Sequence, residues 1–193
     1  MGNKTIAFFP EAAFGPALNS VGIAQACEKL GHKTVFLTDP GMQGVYSGYG
    51  FEEHPVNMSE PMPPEEMAKY WTDFINGHIP NFDLSPFDQI DNYVKECWEA
   101  IVETSIWAEN ELPEVLENIK PDIVLTGISG PDDGVDEVLL KLSNEMQIKT
   151  YSLQSFWGHI NKNLGYTANC IFVIDKYSKT VTKKTTDAKL IIT

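Results

Sequence analysis

The 193-residue chain is 42% hydrophobic and 21% charged, the balance of an ordinary globular protein, and long enough for one large α/β domain. Its net charge is −13 and all 14 basic residues are lysines; an acidic surface without arginine excludes nucleic acid, whose phosphates demand a Lys/Arg-rich face. No apolar run approaches the ~20 residues of a membrane span. The opening strand KTIAFF leaves no room for a signal peptide, and three widely spaced cysteines, Cys27, Cys97 and Cys170, read as reduced core thiols of a cytoplasmic protein.

Residues 4–9 form an unbroken apolar run, the pattern of a strand covered on both faces. A helix is expected over 19–30, with Val21, Ala24, Cys27 and Leu30 near helical spacing and Gly31 closing it. The strand KTVFLT follows, then the glycine-rich loop PGMQGVYSGYG and a third strand, FEEHPV. The segment 58–87 is rich in proline, methionine and aromatics, holds one short helix near 64–76, and reads as a lid-like insertion. Ser85, Pro86 and Asp88 start a long helix whose buried stripe is expected at Ile90, Val94, Cys97, Ile101 and Ser105. LPEVLENIK reads as a separate short helix before a strand at 123–126. Val135, Val138, Leu139, Leu142 and Met146 mark another amphipathic helix. KTYSLQ, NCIFVID and KLIIT are the remaining strands, and Lys176, Lys179, Lys183, Lys184 and Lys189 between them read as a solvated loop and helix face. Such alternation predicts a single domain over 1–193, a doubly wound, Rossmann-like, mostly parallel sheet with helices on both faces.

Ligands of such sheets bind beyond the carboxyl ends of the strands, which brings four loops forward. PEAAFGPALNS has only Gly15 before its helix, followed by Pro16, which has no amide hydrogen, and Glu11 adds negative charge. A dinucleotide cradle needs G-x-G-x-x-G, so that function is excluded. In GISGPDDGVD, Asp132, Asp133, Asp136 and Glu137 crowd a helix start. They read as capping carboxylates, with diphosphate-bound metal or the hydroxyls of a sugar-like ligand as the alternatives. SFWGHINKN sets His159 among Phe156, Trp157, Asn161 and Asn163, either a base with aromatic and amide neighbours for a neutral ligand or a surface loop around a buried tryptophan. The fourth is the loop at 40–50. H-x-x-x-H, C-x-x-C and G-x-S-x-G patterns are absent, so no metal site and no serine-hydrolase chemistry is expected.

FGPALNSVGIAQACEKLGHKTVFLTD resembles the opening of GT-B-fold glycosyltransferases, the nucleotide-sugar-dependent enzymes of macrolides, flavonoids and sterols, and IKPDIVLTG resembles their fourth strand. The similarity is looser past residue 124 or so, and a join between two subgroups near Val124 is one reading of that change. The resemblance implies the acceptor-binding N-terminal domain of an enzyme that moves a sugar from a nucleotide sugar to a hydroxyl group without an obligatory metal. It also implies that the domain is inactive without a donor-binding domain or subunit, and needs no cofactor of its own. The family's base, a histidine in the first loop, falls on Pro16 or its neighbours, leaving Glu11 or His159 as candidate bases. Phe14, Gly15 and Asn19, then Asp132, Gln154, Trp157 and Asn161, are the expected substrate-binding residues, from loops at 10–19 and 154–163 and the aspartate-rich turn. The alternatives are a non-catalytic module that self-associates or docks a donor subunit, and an engineered or truncated fragment.

Overall fold

The computed structural model describes residues 2–10, 14–60, 62–127, 134–154 and 166–193. Seven strands form one parallel sheet: β1 (Thr5–Phe9), β2 (Lys33–Thr38), β3 (Glu52–Pro55), β4 (Ile123–Thr126), β5 (Lys149–Leu153), β6 (Cys170–Val173) and β7 (Lys189–Ile192). Their order is β3-β2-β1-β4-β5-β6-β7, so the winding direction reverses between β1 and β4. The register is regular, with Ala7 beside Val35 on one flank and beside Val124 on the other.

Both sheet faces are apolar because every central strand is covered twice. On one face, α1 (Phe14–Lys29) buries Ala17, Val21 and Ala24 against Ile6, Phe8, Phe36 and Leu125. On the other, α4 (Lys95–Ile119) and α5 (Val135–Glu145) pack Ala108, Leu112, Leu116, Val138, Leu139 and Leu142 onto Ala7, Phe9, Val35, Leu37 and Val124. Farther along this second face, Leu140 of α5 meets Ala168, Ile171 and Val173. Beside it α6 (Lys176–Thr182) is tied down where Gln154 Nε2 donates to Thr182 Oγ1 over 2.9 Å. Asp175 caps α6 by accepting from the Ser178 amide at 2.6 Å.

Three boundaries differ from the sequence expectation, each for a local reason. α1 begins at Phe14 rather than near residue 19, because a proline is tolerated in a first helical turn, where its missing donor has no partner to lose. LPEVLENIK is not a separate helix but the end of α4, which runs through Pro113. The stretch from Ser85 is interrupted: α3 (Pro86–Gln89) leads into a π turn at Ile90–Val94 before α4. The segment before it contains α2 (Pro64–His78) and a 3-10 stretch, Ile79–Asp83. Among the described residues no helix is long and apolar enough to cross a membrane.

Candidate functional site

The reversal between β1 and β4 opens a crevice at the carboxyl ends of these strands, the place where doubly wound sheets bind ligands. Its described floor is small and polar. The Thr126 hydroxyl at the end of β4 donates to the carboxylate of Asp136, in the first turn of α5. A Cβ on Gly127 would lie 3.0 Å from Asp136 Oδ2, so glycine here lets the carboxylate approach. A carboxylate already occupies this helix start, and a phosphate would meet repulsion there. Such a floor suits a neutral, hydroxyl-bearing ligand better than an anion.

The expected site residues divide sharply. Glu11, Asp132, Trp157, His159 and Asn161 lie outside the described residues, in segments that follow β1, β4 and β5 in the chain; Phe14 is described only as the first residue of α1. Gly15 sits in the exposed first turn of α1, where an added Cβ would meet nothing within 4 Å. Asn19 is exposed on the same helix, and neighbouring Ser20 returns its hydroxyl to the Pro16 carbonyl at 2.9 Å. Gln154 is buried, and its amide is directed to Thr182 beneath α6.

The loop after β2 is built from within. Asp39 Oδ1 accepts from the Gly41 amide at 2.7 Å. Glu53 accepts from the amides of Gly44, Tyr46 and Ser47 at 2.8, 2.6 and 2.8 Å. Burial works to raise the Glu53 carboxyl, but these amide donors outweigh it and hold the group below the usual carboxylate range. Tyr46 stacks on Phe36 with ring centres 4.1 Å apart, and burial with the nearby Glu53 charge pushes its phenol up to about 12. Met42 and Tyr46 thus go into the core, leaving this loop a firm shoulder beside the crevice.

The feature that sequence pattern did not single out is the reach of α4. Its 25 residues make a rod about 37 Å long, whereas the four residues of β4 cover about 13 Å. Since α4 ends just before β4 begins, its amino-terminal half overhangs the carboxyl edge of the sheet. Ala108, Leu112 and Leu116 are buried in the core on the sheet, and Ser105 is buried one turn above them. Nearer the amino end two members of the expected buried stripe are open, Val94 at 46% and Ile90 at 51% exposed, while Cys97 is half-buried and the Ile101 side chain lies outside the described residues; Trp98 at 50% and Phe87 at 82% are exposed nearby. The outcome is an exposed apolar face beyond the carboxyl edge of the sheet.

α2 braces this arm. His78 is buried, with Phe74 and Tyr93 edge-on at 4.3 and 5.1 Å. Asn81 Nδ2 lies 3.1 Å from its Nδ1, and Glu96 is 3.6 Å from its Nε2. His78 is therefore a packing knot between α2 and the π turn. Between α2 and the start of α4 lies a cavity of about 530 Å³ whose lining includes Met62, Tyr70, Phe74 and Glu96. Among the described residues no group of three or more His, Cys, Asp or Glu side chains is placed to hold a metal.

With this geometry in hand, comparison with solved structures shows that the chain shares its α/β fold with a part of two glycosyltransferases. The chain is similar to the glycotransferase of kitacinnamycin at 13% identity, over 82% of this chain and 32% of that one, with a TM-score of 0.51. It is similar to the glycosyltransferase SnogD from Streptomyces nogalater at 14% identity, over 79% of this chain and 33% of that one, with a TM-score of 0.50. Spinosyn rhamnosyltransferase SpnG aligns at 15% identity over 79% of this chain and 34% of its own, at a TM-score of 0.49. The chain thus spans about a third of the length of these enzymes. No protein-family model matches the chain, and no curated protein sequence does either.

Proposed function

We propose that this chain is the acceptor-side half of a glycosyltransferase that moves a sugar from a nucleotide sugar to a hydroxyl group on an apolar small molecule. One observation carries the reading: the π turn and α4 leave an apolar face exposed at Ile90, Val94 and Trp98, on a helix long enough to extend past the carboxyl edge of the sheet, the edge at which Thr126 and Asp136 meet. An apolar ligand lies against this face and presents its hydroxyl to the polar floor, the usual division of a small-molecule site into apolar lining and a few placed polar groups. The segment 58–87, through α2, covers it from the other side.

The reaction has simple requirements at this end. A base takes the proton of the acceptor hydroxyl, its oxygen bonds to the anomeric carbon of the donor, and the nucleoside diphosphate leaves. Glu11 and His159 are the candidate bases, and Phe14, Gly15, Asn19, Asp132, Gln154, Trp157 and Asn161 the candidate ligand contacts. The donor is held by a second domain or subunit, without which the chain is inactive. We place the protein in the cytoplasm, where Cys27, Cys97 and Cys170, all free thiols, stay reduced.

The test is a titration of tryptophan fluorescence with a flavonol and a macrolide aglycone, in the parent and in Trp98→Ala with Val94→Ser. Saturable binding by the parent, weakened about tenfold or more in the variant, is the expected result. Equal affinity in both would remove the arm from the site.

A further inference from the structure

The carboxyl-terminal segment reverses the charge of the chain. Residues 170–193 hold five lysines against two carboxylates, Asp175 and Asp187, whereas the residues before them hold nine lysines against 25 carboxylates. Such an asymmetry within one chain points to a charged partner for the basic part. Four of the five lysines belong to α6 and the turn that ends it. At 100° per residue Lys176, Thr180, Lys183 and Lys184 fall within about 100° of one another, flanked by Tyr177 and Lys179. Ser178 and Thr182 lie on the opposite side and are fully buried, so the lysine arc is the outward side of the helix. The four lysines and Thr180 line an open depression of about 380 Å³. Among the described residues none of these four forms an ion pair; the lysines that do are Lys4, Lys33, Lys69, Lys95 and Lys141. Asp175 is engaged by the Ser178 amide at 2.6 Å. Tyr177 is 68% exposed beside the lysines, with Ile174 at 40% just before the helix.

We propose that the outer face of α6 docks the chain on a bilayer surface rich in anionic phospholipid. The ammonium groups meet the lipid headgroup charges while the Tyr177 ring enters the headgroup layer, where an apolar body with a polar tip is at home. Each lysine near such a surface raises partitioning about fivefold, so four give roughly 10³-fold over a neutral bilayer. That is a weak and reversible attachment. The acidic remainder of the chain does not cancel it. α6 contacts β6 and β7, whereas the glutamate-rich α4 packs on β1, β2 and β4. β6 stands two strand spacings from β4 and three from β1, about 10–14 Å, beyond the Debye length of about 8 Å at physiological ionic strength. A nucleic acid suits the patch less well: the chain has no arginine to fork onto phosphates, and one helix about 10 Å long is too short to track a strand. The docking makes no use of the crevice, so it does not depend on the acceptor reading.

Vesicle flotation with the whole chain tests this. Vesicles of phosphatidylcholine with phosphatidylserine should carry the protein at about 0.1 M ionic strength and release it at about 1 M, where the Debye length is about 3 Å. Vesicles of phosphatidylcholine alone should not carry it. Lys183→Gln with Lys184→Gln should weaken binding about 30-fold, at about fivefold per lysine. Lys29→Gln with Lys149→Gln, the same change in net charge at exposed positions elsewhere, should leave it unchanged. Circular dichroism establishes that each variant is folded, and the salt and lipid series on the parent needs no variant at all. No flotation with the anionic vesicles, equal flotation with both lipids, survival at about 1 M, or equal loss in the two variants would each overturn the proposal. So would displacement by inorganic phosphate at fixed ionic strength, which would make the lysines a site for a free anion, or tighter binding to poly(U) RNA than to the vesicles, which would make the partner a nucleic acid.

Discussion

Val94 closes the π turn that leads into α4, and Leu112 lies 18 residues on within α4, yet one is 46% exposed and the other fully buried. Truncating each to alanine separates the overhanging arm from the part of α4 packed on the sheet. Leu112 packs among sheet and α5 side chains that cannot collapse into the space it leaves, so Leu112→Ala should cost about 2–5 kcal/mol. For a chain of this size that is roughly 5–15 °C in Tm, at about 2–4 °C per kcal/mol. Val94→Ala removes half-exposed methyl groups and gains a better helix former, so the change should stay within about 0.5 kcal/mol of zero. Urea unfolding followed by circular dichroism measures both, with an unchanged m-value confirming that the same surface is exposed. A loss of about 2 kcal/mol or more in Val94→Ala would mean that the arm is packed against the chain, and there would be no open wall to hold a ligand.

Glu53 offers a pH test. Its carboxyl is held below its ordinary value, so its contribution is present above the unfolded value of about 4.3 and is lost as pH falls through the lower folded value. Glu53→Gln should lose on the order of 1–2 kcal/mol at pH 7 and flatten the acid limb of a stability–pH curve; an unchanged limb would place the loop's anchor elsewhere. Gly22 lies exposed within α1, with nothing within 4 Å of an added Cβ, so Gly22→Ala should stabilise by about 0.5–1 kcal/mol. Gly50 closes its turn at φ +90° with equally open surroundings, so Gly50→Ala should destabilise by about 1 kcal/mol through the backbone alone. Thermal melts of this pair check the two signs together.

The sheet was legible because apolar runs such as IAFF and TVFLT alternate with helical spacing, and that alternation admits few arrangements. The crevice followed from it, since strand order and direction place the carboxyl ends together. What pattern cannot give is the height at which a helix leaves the sheet. Ile90, Val94 and Ser105 share one helical line and look equally buried in sequence, yet of these three only Ser105 is buried. That difference depends on a 25-residue helix lying against a four-residue strand, a relation between elements far apart in the chain. Pro16 and Pro113 misled for a related reason: proline signals a break, but a first turn loses nothing to it, and a helix held by Leu112 and Leu116 runs through it. Gln154 sits at a strand end as expected, while its bond to Thr182 depends on α6 folding back over the sheet.

The most direct measurement is a pair of NMR titrations on the whole chain, one with thymidine diphosphate and one with a hydroxyl-bearing macrolide aglycone, followed through backbone amide shifts. An acceptor-side half should show saturable shifts with the aglycone, centred on residues 87–98, Thr126 and Gly127, and no saturable response to the nucleotide. Saturable nucleotide binding at the crevice, or aglycone shifts confined to other surfaces, would contradict it.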